Sequence, residues 1–118
     1  MKNNLKEISQ YPPYKINRVY ELDGISELSV GISSCTSVFD INLDISGKEV
    51  KVGTFTKEDD FWFYVNYNTE IKAYHNGKEI IPSLGGRKRV VILEPNDEIS
   101  FEINKGYPKY RFIYSKEL

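Results

Sequence analysis

The sequence has little of the residue types that most often carry chemistry or cross-links. Its 118 residues include one cysteine, one histidine and one tryptophan. Cys35 has no second cysteine to pair with, so the residues do not indicate an oxidising compartment. The first residues lack an apolar run of signal-peptide length, and no run approaches the roughly eighteen apolar residues of a membrane span. We therefore expect a cytoplasmic protein with no membrane partner.

The charges are nearly balanced. The formal net charge is -1 at pH 7, so the protein has no global field that would attract nucleic acid or anionic lipid. One histidine and one cysteine are also too few for a zinc site unless carboxylates join them, and no carboxylates are marked out for that role. We expect neither a cofactor nor a metal, and we do not expect nucleic acid as a partner.

Aromatic and β-branched residues are plentiful, and they alternate with polar residues. Aromatic residues make up 14% of the chain, and such residues are favoured in strands. From residue 15 onward the apolar pattern repeats every second residue between turn residues, and no helical period is present. This pattern predicts an all-β fold, an antiparallel β-sandwich of about nine or ten short strands.

Several strands can be placed from this alternation. Residues 39–45 alternate strictly, turn at Ser46-Gly47 and return over residues 49–55, which predicts a hairpin. Residues 61–67 are apolar on both faces and predict a central strand. Two earlier segments, residues 17–22 and 27–32, also read as strands.

Turn residues define the second half of the chain. Asn76-Gly77 is the pair best suited to positive φ at both positions of a two-residue hairpin. Glu94-Pro95-Asn96-Asp97 predicts a type I turn, because proline is favoured at its second position. Strands should follow over residues 98–103 and 110–114.

The first residues do not fit this pattern. Residues 1–10 could form a short helical turn or a loose tail, and Tyr11-Pro12-Pro13-Tyr14 favours extended geometry. We therefore expect an N-terminal tail over residues 1–14 and a single β-sandwich domain over residues 15–118.

No arrangement of residues indicates catalysis. His75 lies at the predicted hairpin tip, which is a poor place to hold an imidazole close to a partner. Asp40, Asn42 and Asp44 have the opening spacing of a calcium-binding loop, but the glycine and glutamate that the loop needs later are Ile45 and Lys51. We expect a protein that is not an enzyme.

Two charged clusters could instead bind a partner. Glu58, Asp59 and Asp60 precede the aromatic strand, where Trp62 and Tyr64 could serve as apolar anchors. Arg87, Lys88 and Arg89 follow two glycines and form the one concentrated basic segment. Either cluster could also be a solvated loop.

The last third of the chain resembles a forkhead-associated (FHA) domain. Residues 74–112 contain Asn76-Gly77, the segment Pro95-Asn96-Asp97-Glu98-Ile99 and a closing strand, in the order and spacing that this family shows. The resemblance implies an FHA-like sandwich of eleven strands, and because similar hairpins occur in jelly rolls, a jelly-roll-like sandwich is the alternative. The family reads phosphothreonine with an arginine in a Gly-Arg pair and a serine followed by histidine. Neither occurs in the expected region, so no phosphothreonine-binding residue carries over.

The residues leave three functions open. The leading interpretation is a non-catalytic protein-binding module, such as a small inhibitor or immunity-type protein that occludes a larger protein partner. A carbohydrate-binding domain would use Trp62, Tyr64 or Tyr67 as flat platforms. A structural subunit of a virion or surface assembly would self-associate through its edge strands.

Overall fold

The computed structural model describes residues 2–8, 10–11, 14–15, 18–35, 38–43, 49–67, 71–80, 89–102 and 110–117. Within these ranges every regular element is a β-strand. The described residues contain no helix that is long and apolar enough to cross a membrane. The strands are β1 (Lys2–Glu7), β2 (Gln10–Tyr11), β3 (Tyr14–Lys15), β4 (Val19–Glu21), β5 (Glu27–Ile32), β6 (Ile41–Asn42), β7 (Val50–Glu58), β8 (Phe61–Asn66), β9 (Lys72–His75), β10 (Lys78–Glu79), β11 (Arg89–Ile92), β12 (Glu98–Glu102) and β13 (Tyr110–Glu117). The all-β prediction is confirmed.

The chain divides into two compact units. The first comprises residues 1–24, 71–80 and 93–118. It contains a six-stranded sheet in the order β10-β9-β12-β13-β1-β4, together with the short pair β2-β3. The second comprises residues 25–70 and 81–92, and it contains a five-stranded sheet in the order β11-β8-β7-β5-β6. The single domain over residues 15–118 stays a prediction.

The six-stranded sheet includes a strand where we expected a tail. β1 lies between β13 and β4 and is antiparallel to both. Leu5 is fully buried, and the Tyr114 hydroxyl donates a 2.6 Å hydrogen bond to Asn3 Oδ1. The expected tail over residues 1–14 is therefore wrong for residues 2–7. Their alternation is weak, and they become a strand because distant strands supply the partners for their backbone groups.

The Asn76-Gly77 hairpin forms as predicted. β9 and β10 pair with His75 opposite Lys78, and Asn76 and Gly77 have φ values of 51° and 82°. Positive φ at both positions is the requirement of a type I′ turn, which matches the twist of the flanking strands. The next turn differs from its prediction. Asn96 has a φ of 76°, and positive φ at the third position defines a type II turn, so the type I assignment at Glu94–Asp97 is wrong.

In the second sheet, the observed strand pairing differs from the hairpin that the sequence predicted. β7 lies between β8 and β5, so the expected hairpin between residues 39–45 and 49–55 does not form. β6 instead pairs in parallel with β5. Side chains support this contact, because the backbone N–H and the hydroxyl of Ser29 both donate to Asp40 Oδ2, at 2.8 and 3.0 Å. The predicted Ser46-Gly47 turn lies outside the described residues.

β8 is an interior strand of this sheet, as predicted, because β7 and β11 flank it. Its burial alternates: Trp62, Tyr64 and Asn66 are buried, whereas Phe61 is exposed and Phe63 and Val65 are half-buried. One face of β8 therefore belongs to the core, and the other face is open to solvent.

Candidate protein-binding surface

The acidic cluster forms the turn between β7 and β8. Glu58 lies opposite Phe61 in the antiparallel register, and Asp59-Asp60 makes the two-residue connection. All three acidic side chains are exposed. Asp59 has a φ of 56°, a conformation that aspartate tolerates better than most residues at some cost in strain. The turn thus presents three carboxylates at one end of the five-stranded sheet.

The expected aromatic anchors are not available beside this turn. Trp62 is 1% exposed and Tyr64 is fully buried, so neither can contact a partner or stack on a sugar ring. Phe61 is 56% exposed and directly follows the carboxylates. The prediction of Trp62 and Tyr64 as binding residues is wrong, because an aromatic run gives no period from which to tell the buried face from the open one.

Tyr64 has a structural role instead. Its hydroxyl donates a 3.0 Å hydrogen bond to Asn66 Oδ1, and its ring lies 5.0 Å from that of Phe55 between centroids. The ring and hydroxyl also occupy the space where a Cβ on Gly53 would sit. Burial raises the pKa of Tyr64 well above its ordinary value. The hydroxyl is therefore a neutral, hydrogen-bonded core group.

The open face of β8 continues onto β11. Val90 lies opposite Val65 and Ile92 opposite Phe63, so their side chains share the face that carries Phe61. Phe61, Val90 and Ile92 are exposed, and Phe63 and Val65 are half-buried. We call these five residues the β8–β11 patch. A contiguous apolar surface beside charged groups is typical of a binding site.

Only part of the basic segment is described. Arg87 and Lys88 lie outside the described residues. Arg89 is exposed and begins β11 opposite Asn66. It therefore lies at the other end of the sheet from the acidic turn. At that same end the Lys51 ammonium lies 4.7 Å above the ring of Tyr67, a distance typical of a cation–π contact.

His75 lies in a polar cluster that we did not expect. Its Nε2 is 2.9 Å from Asp97 Oδ2, and Asn76 Nδ2 donates to Asp97 Oδ1 at 3.1 Å. The backbone N–H of Glu94 also donates to Asp97 Oδ2, and the N–H of Glu98 donates to Asn76 Oδ1. The expectation that His75 lacks a partner is therefore wrong. We call His75, Asn76 and Asp97 the turn clasp.

The electrostatics of the turn clasp follow from these bonds. Partial burial acts to raise the pKa of Asp97, but the hydrogen bonds from Glu94, His75 and Asn76 outweigh it and lower that pKa below its ordinary value. Asp97 is thus held as a carboxylate that joins two turns. Asn76 and Asp97 were a possible signal in the sequence for this cluster, because asparagine and aspartate often form hydrogen bonds with nearby backbone. The two residues are 21 positions apart, so their contact could not be seen from local pattern.

The remaining candidate chemistry is limited. Cys35 is exposed, and its backbone N–H donates to Ser33 Oγ at 3.1 Å. Within the described ranges, no three histidine, cysteine, aspartate or glutamate side chains cluster closely enough to hold a metal ion.

Comparison with known proteins bears on this fold. No known family model matches the sequence, and no curated protein matches it in sequence. Among solved structures, the chain is similar to the N-terminal FHA domain of S. cerevisiae Rad53p in complex with a phosphothreonine peptide. The TM-score is 0.69 at 12% identity, over 97% of this chain and 94% of that chain. It is also similar to an engineered FHA domain with a Myc-pTBD peptide, with a TM-score of 0.67 at 15% identity, over 97% of this chain and 91% of that chain.

These similarities show the class of the protein, which is a β-sandwich. Among the described strands every pair is antiparallel except β5-β6. Within that class its fold is that of the FHA domain. The resemblance seen in residues 74–112 is therefore confirmed at the level of fold, and it extends over nearly the whole chain.

Proposed function

We propose that this chain is a non-catalytic protein-binding module. The observation that carries the proposal is the full-length similarity to two FHA domains, each in a structure with a peptide. A fold can host several functions, so the recognition surface must be argued from this chain's own residues. Cytoplasmic location belongs to the same proposal and rests on the composition alone.

The acidic turn with Phe61 is the surface that fits this role best. An exposed aromatic side chain beside charged groups supplies the apolar anchor and polar rim of a typical protein interface. Phe61 is 56% exposed, and it is continuous with Phe63 and Ile92 of the β8–β11 patch. The expected partner therefore presents an apolar pocket bordered by lysine or arginine.

Occlusion of a larger protein is the finer form of this proposal. A small rigid scaffold can block a partner by covering its working surface, as inhibitors and immunity-type proteins do. Such a role requires shape and charge, and it requires no reactive group. Substitution of His75 or Cys35 should then leave binding intact, because neither residue lies in the acidic turn or in the β8–β11 patch.

Recognition of phosphothreonine in the manner of the FHA family is not part of the proposal. The Rad53p domain is in complex with a phosphothreonine peptide, but this sequence has no Ser-x-x-His and no Gly-Arg pair near residues 30–50. A carbohydrate-binding role is also weakened, since Trp62 and Tyr64 are buried. Of the three suggested platforms only Tyr67 is exposed, and Lys51 lies above its ring.

Affinity purification from the native host, followed by mass spectrometry, tests the proposal. The wild-type chain should retain a stoichiometric protein, and Phe61→Asp should lose it. Val19→Asp is the matched control, because Val19 is 55% exposed on β4. Retained polysaccharide in place of a protein would contradict the proposal, and so would equal loss of the partner by both variants.

The charge of the turn can be tested separately. Asp60→Lys should slow association with the partner, and the effect should shrink at high salt, because exposed charges act mainly on the association rate. Glu21→Lys, an exposed reversal on β4, serves as the control. If His75→Ala alone abolished function in a folded protein, catalysis would have to be reconsidered.

A further inference from the structure

The two sheets end in four edge strands that differ in length and composition. β10 and β6 contain two residues each, and β4 contains three. β11 contains four residues, Arg89-Val90-Val91-Ile92. Among the described residues β11 pairs only with β8, so no described strand pairs with the backbone N–H and C=O groups of its other edge.

Natural proteins usually protect such edges with short strands, charged side chains, proline or bulges. β10 fits this description, since it consists of exposed Lys78 and Glu79. β11 does not, because three of its four residues are β-branched and apolar, and its register with β8 is regular. Val90 and Ile92 are 54% and 47% exposed. β11 is therefore the edge best suited to accept another strand.

We propose that β11 pairs antiparallel with β11 of a second copy of this chain, forming a two-fold symmetric dimer. A two-fold axis perpendicular to the sheet keeps the same face of both copies together, so opposite residues must share a face. Val91 then lies opposite Val91 of the second copy, and Val90 lies opposite Ile92. In this register each of these apolar residues meets an apolar residue.

The β8–β11 patch supports this arrangement. Val90 and Ile92 lie on the same face as Phe61, Phe63 and Val65. Pairing at β11 joins the two patches into one continuous surface, and the side chains at the centre lose contact with water. Removal of exposed apolar area from water provides the driving force that backbone hydrogen bonds alone do not.

The charges of the five-stranded sheet favour the antiparallel orientation. At one end of the sheet the exposed Glu27, Glu58, Asp59 and Asp60 outnumber the exposed Lys57, and Arg89 begins β11 at the other end. Antiparallel pairing brings Arg89 of each copy toward the acidic end of its neighbour. A second copy in parallel orientation would align the acidic turns with each other instead.

The size of the contact sets its strength. A four-residue strand addition falls below the roughly 1,200–2,000 Å² that stable interfaces bury. The dimer should therefore be weak, with a dissociation constant on the order of 10–1,000 μM.

Sedimentation velocity of the purified chain across this concentration range tests the proposal without any other partner. The dimer fraction of the wild-type chain should rise as its concentration increases. Val90→Lys should weaken dimerisation by about tenfold or more, since it places charge on the apolar seam. Val19→Lys should match wild type, because it makes the same change at a similarly exposed edge residue, with circular dichroism confirming the fold of both variants.

Cross-linking tests the register. In a Cys35→Ser background, Val91→Cys should form a disulfide dimer under mild oxidation, because opposite Cα atoms in antiparallel pairs lie about 4.5–5.5 Å apart, within the range that a disulfide spans. Val19→Cys in the same background is the control. Arg89→Glu should weaken the dimer at low salt and lose this effect at high salt.

Three results would overturn the proposal. The wild-type chain could stay monomeric throughout the range, or Val90→Lys and Val19→Lys could behave alike. A monomeric chain that instead used β11 to bind a strand of another protein would also exclude self-pairing. Phe61 belongs to the same patch, but the Phe61 experiment measures retention of a different protein, so failure of the dimer and failure of the proposed function are distinguishable.

Discussion

Two hairpins of this protein turn through connections of the same length but of different chemistry. β7-β8 turns at Asp59-Asp60 and β9-β10 turns at Asn76-Gly77, each through a two-residue connection. The first turn residue has positive φ in both, 56° at Asp59 and 51° at Asn76. In the second hairpin a glycine follows, and the turn clasp fixes the asparagine. In the first, both residues are exposed aspartates.

Under the proposed function, stability and recognition belong to different loops of this protein. The Asn76-Gly77 turn has residues suited to its backbone, and Asp97 ties it to the next turn along the chain. The Asp59-Asp60 turn keeps a strained aspartate and three solvated carboxylates, which add little to folding. Residues that cost stability without a structural return are often retained for binding.

The largest effect in this comparison should come from removal of Asp97. Asp97→Ala leaves His75, Asn76 and the Glu94 N–H without their acceptor, so we expect a loss of about 2 kcal/mol in the free energy of unfolding, measured by urea denaturation. His75→Ala should cost about 1 kcal/mol or less, since it removes one hydrogen bond between partly exposed side chains. Equal losses in the two variants would show that the contact between His75 and Asp97 alone holds the clasp.

A somewhat smaller loss should follow Gly77→Val. A Cβ on Gly77 meets no atom within 4 Å, yet the residue has a φ of 82°. The expected loss of roughly 1 kcal/mol or more would therefore come from backbone strain and not from a clash. Gly77→Asn, which tolerates positive φ, is the control. An unchanged melting temperature in the valine variant would contradict the type I′ turn.

The first hairpin should respond in the opposite direction. Asp59→Gly removes the strain that a positive φ imposes on a residue with a side chain. We expect a gain of about 0.5 kcal/mol or more in the free energy of unfolding. Asp60→Gly is the matched control and should give no such gain, since it only makes the unfolded chain more flexible. A loss of stability in Asp59→Gly would mean that the aspartate side chain itself supports the turn.

The smallest effect should be the acid sensitivity of the turn clasp. Because the pKa of Asp97 is lowered in the folded state, its contribution is complete above the ordinary carboxyl value of about 4 and disappears as the pH falls below it. Wild type should therefore lose more stability than Asp97→Asn on titration below about pH 4. Parallel curves for the two proteins would contradict the lowered pKa.

Much of the fold follows from local pattern. Alternation predicted β12, an apolar run predicted β8 as a central strand, and Asn76-Gly77 predicted the β9-β10 hairpin, because such patterns and turn chemistry act between neighbours in the chain. The same pattern located the acidic turn, since a charged pair before an aromatic run is a typical hairpin connection. It could not choose between Phe61 and Trp62 as the exposed aromatic residue, because both faces of the strand carry large apolar side chains.

By itself, then, the sequence determined the all-β class, the positions of most strands and the chemistry of the turns. Beyond the local β9-β10 hairpin, tertiary structure decided which strands pair. It placed β1 between β13 and β4, moved β6 from the expected hairpin to a parallel contact with β5, and brought Asp97 to His75. The reason is physical: strand pairing and side-chain networks join groups that are distant in the chain, and their stability depends on which partners fold nearby, which no local pattern encodes.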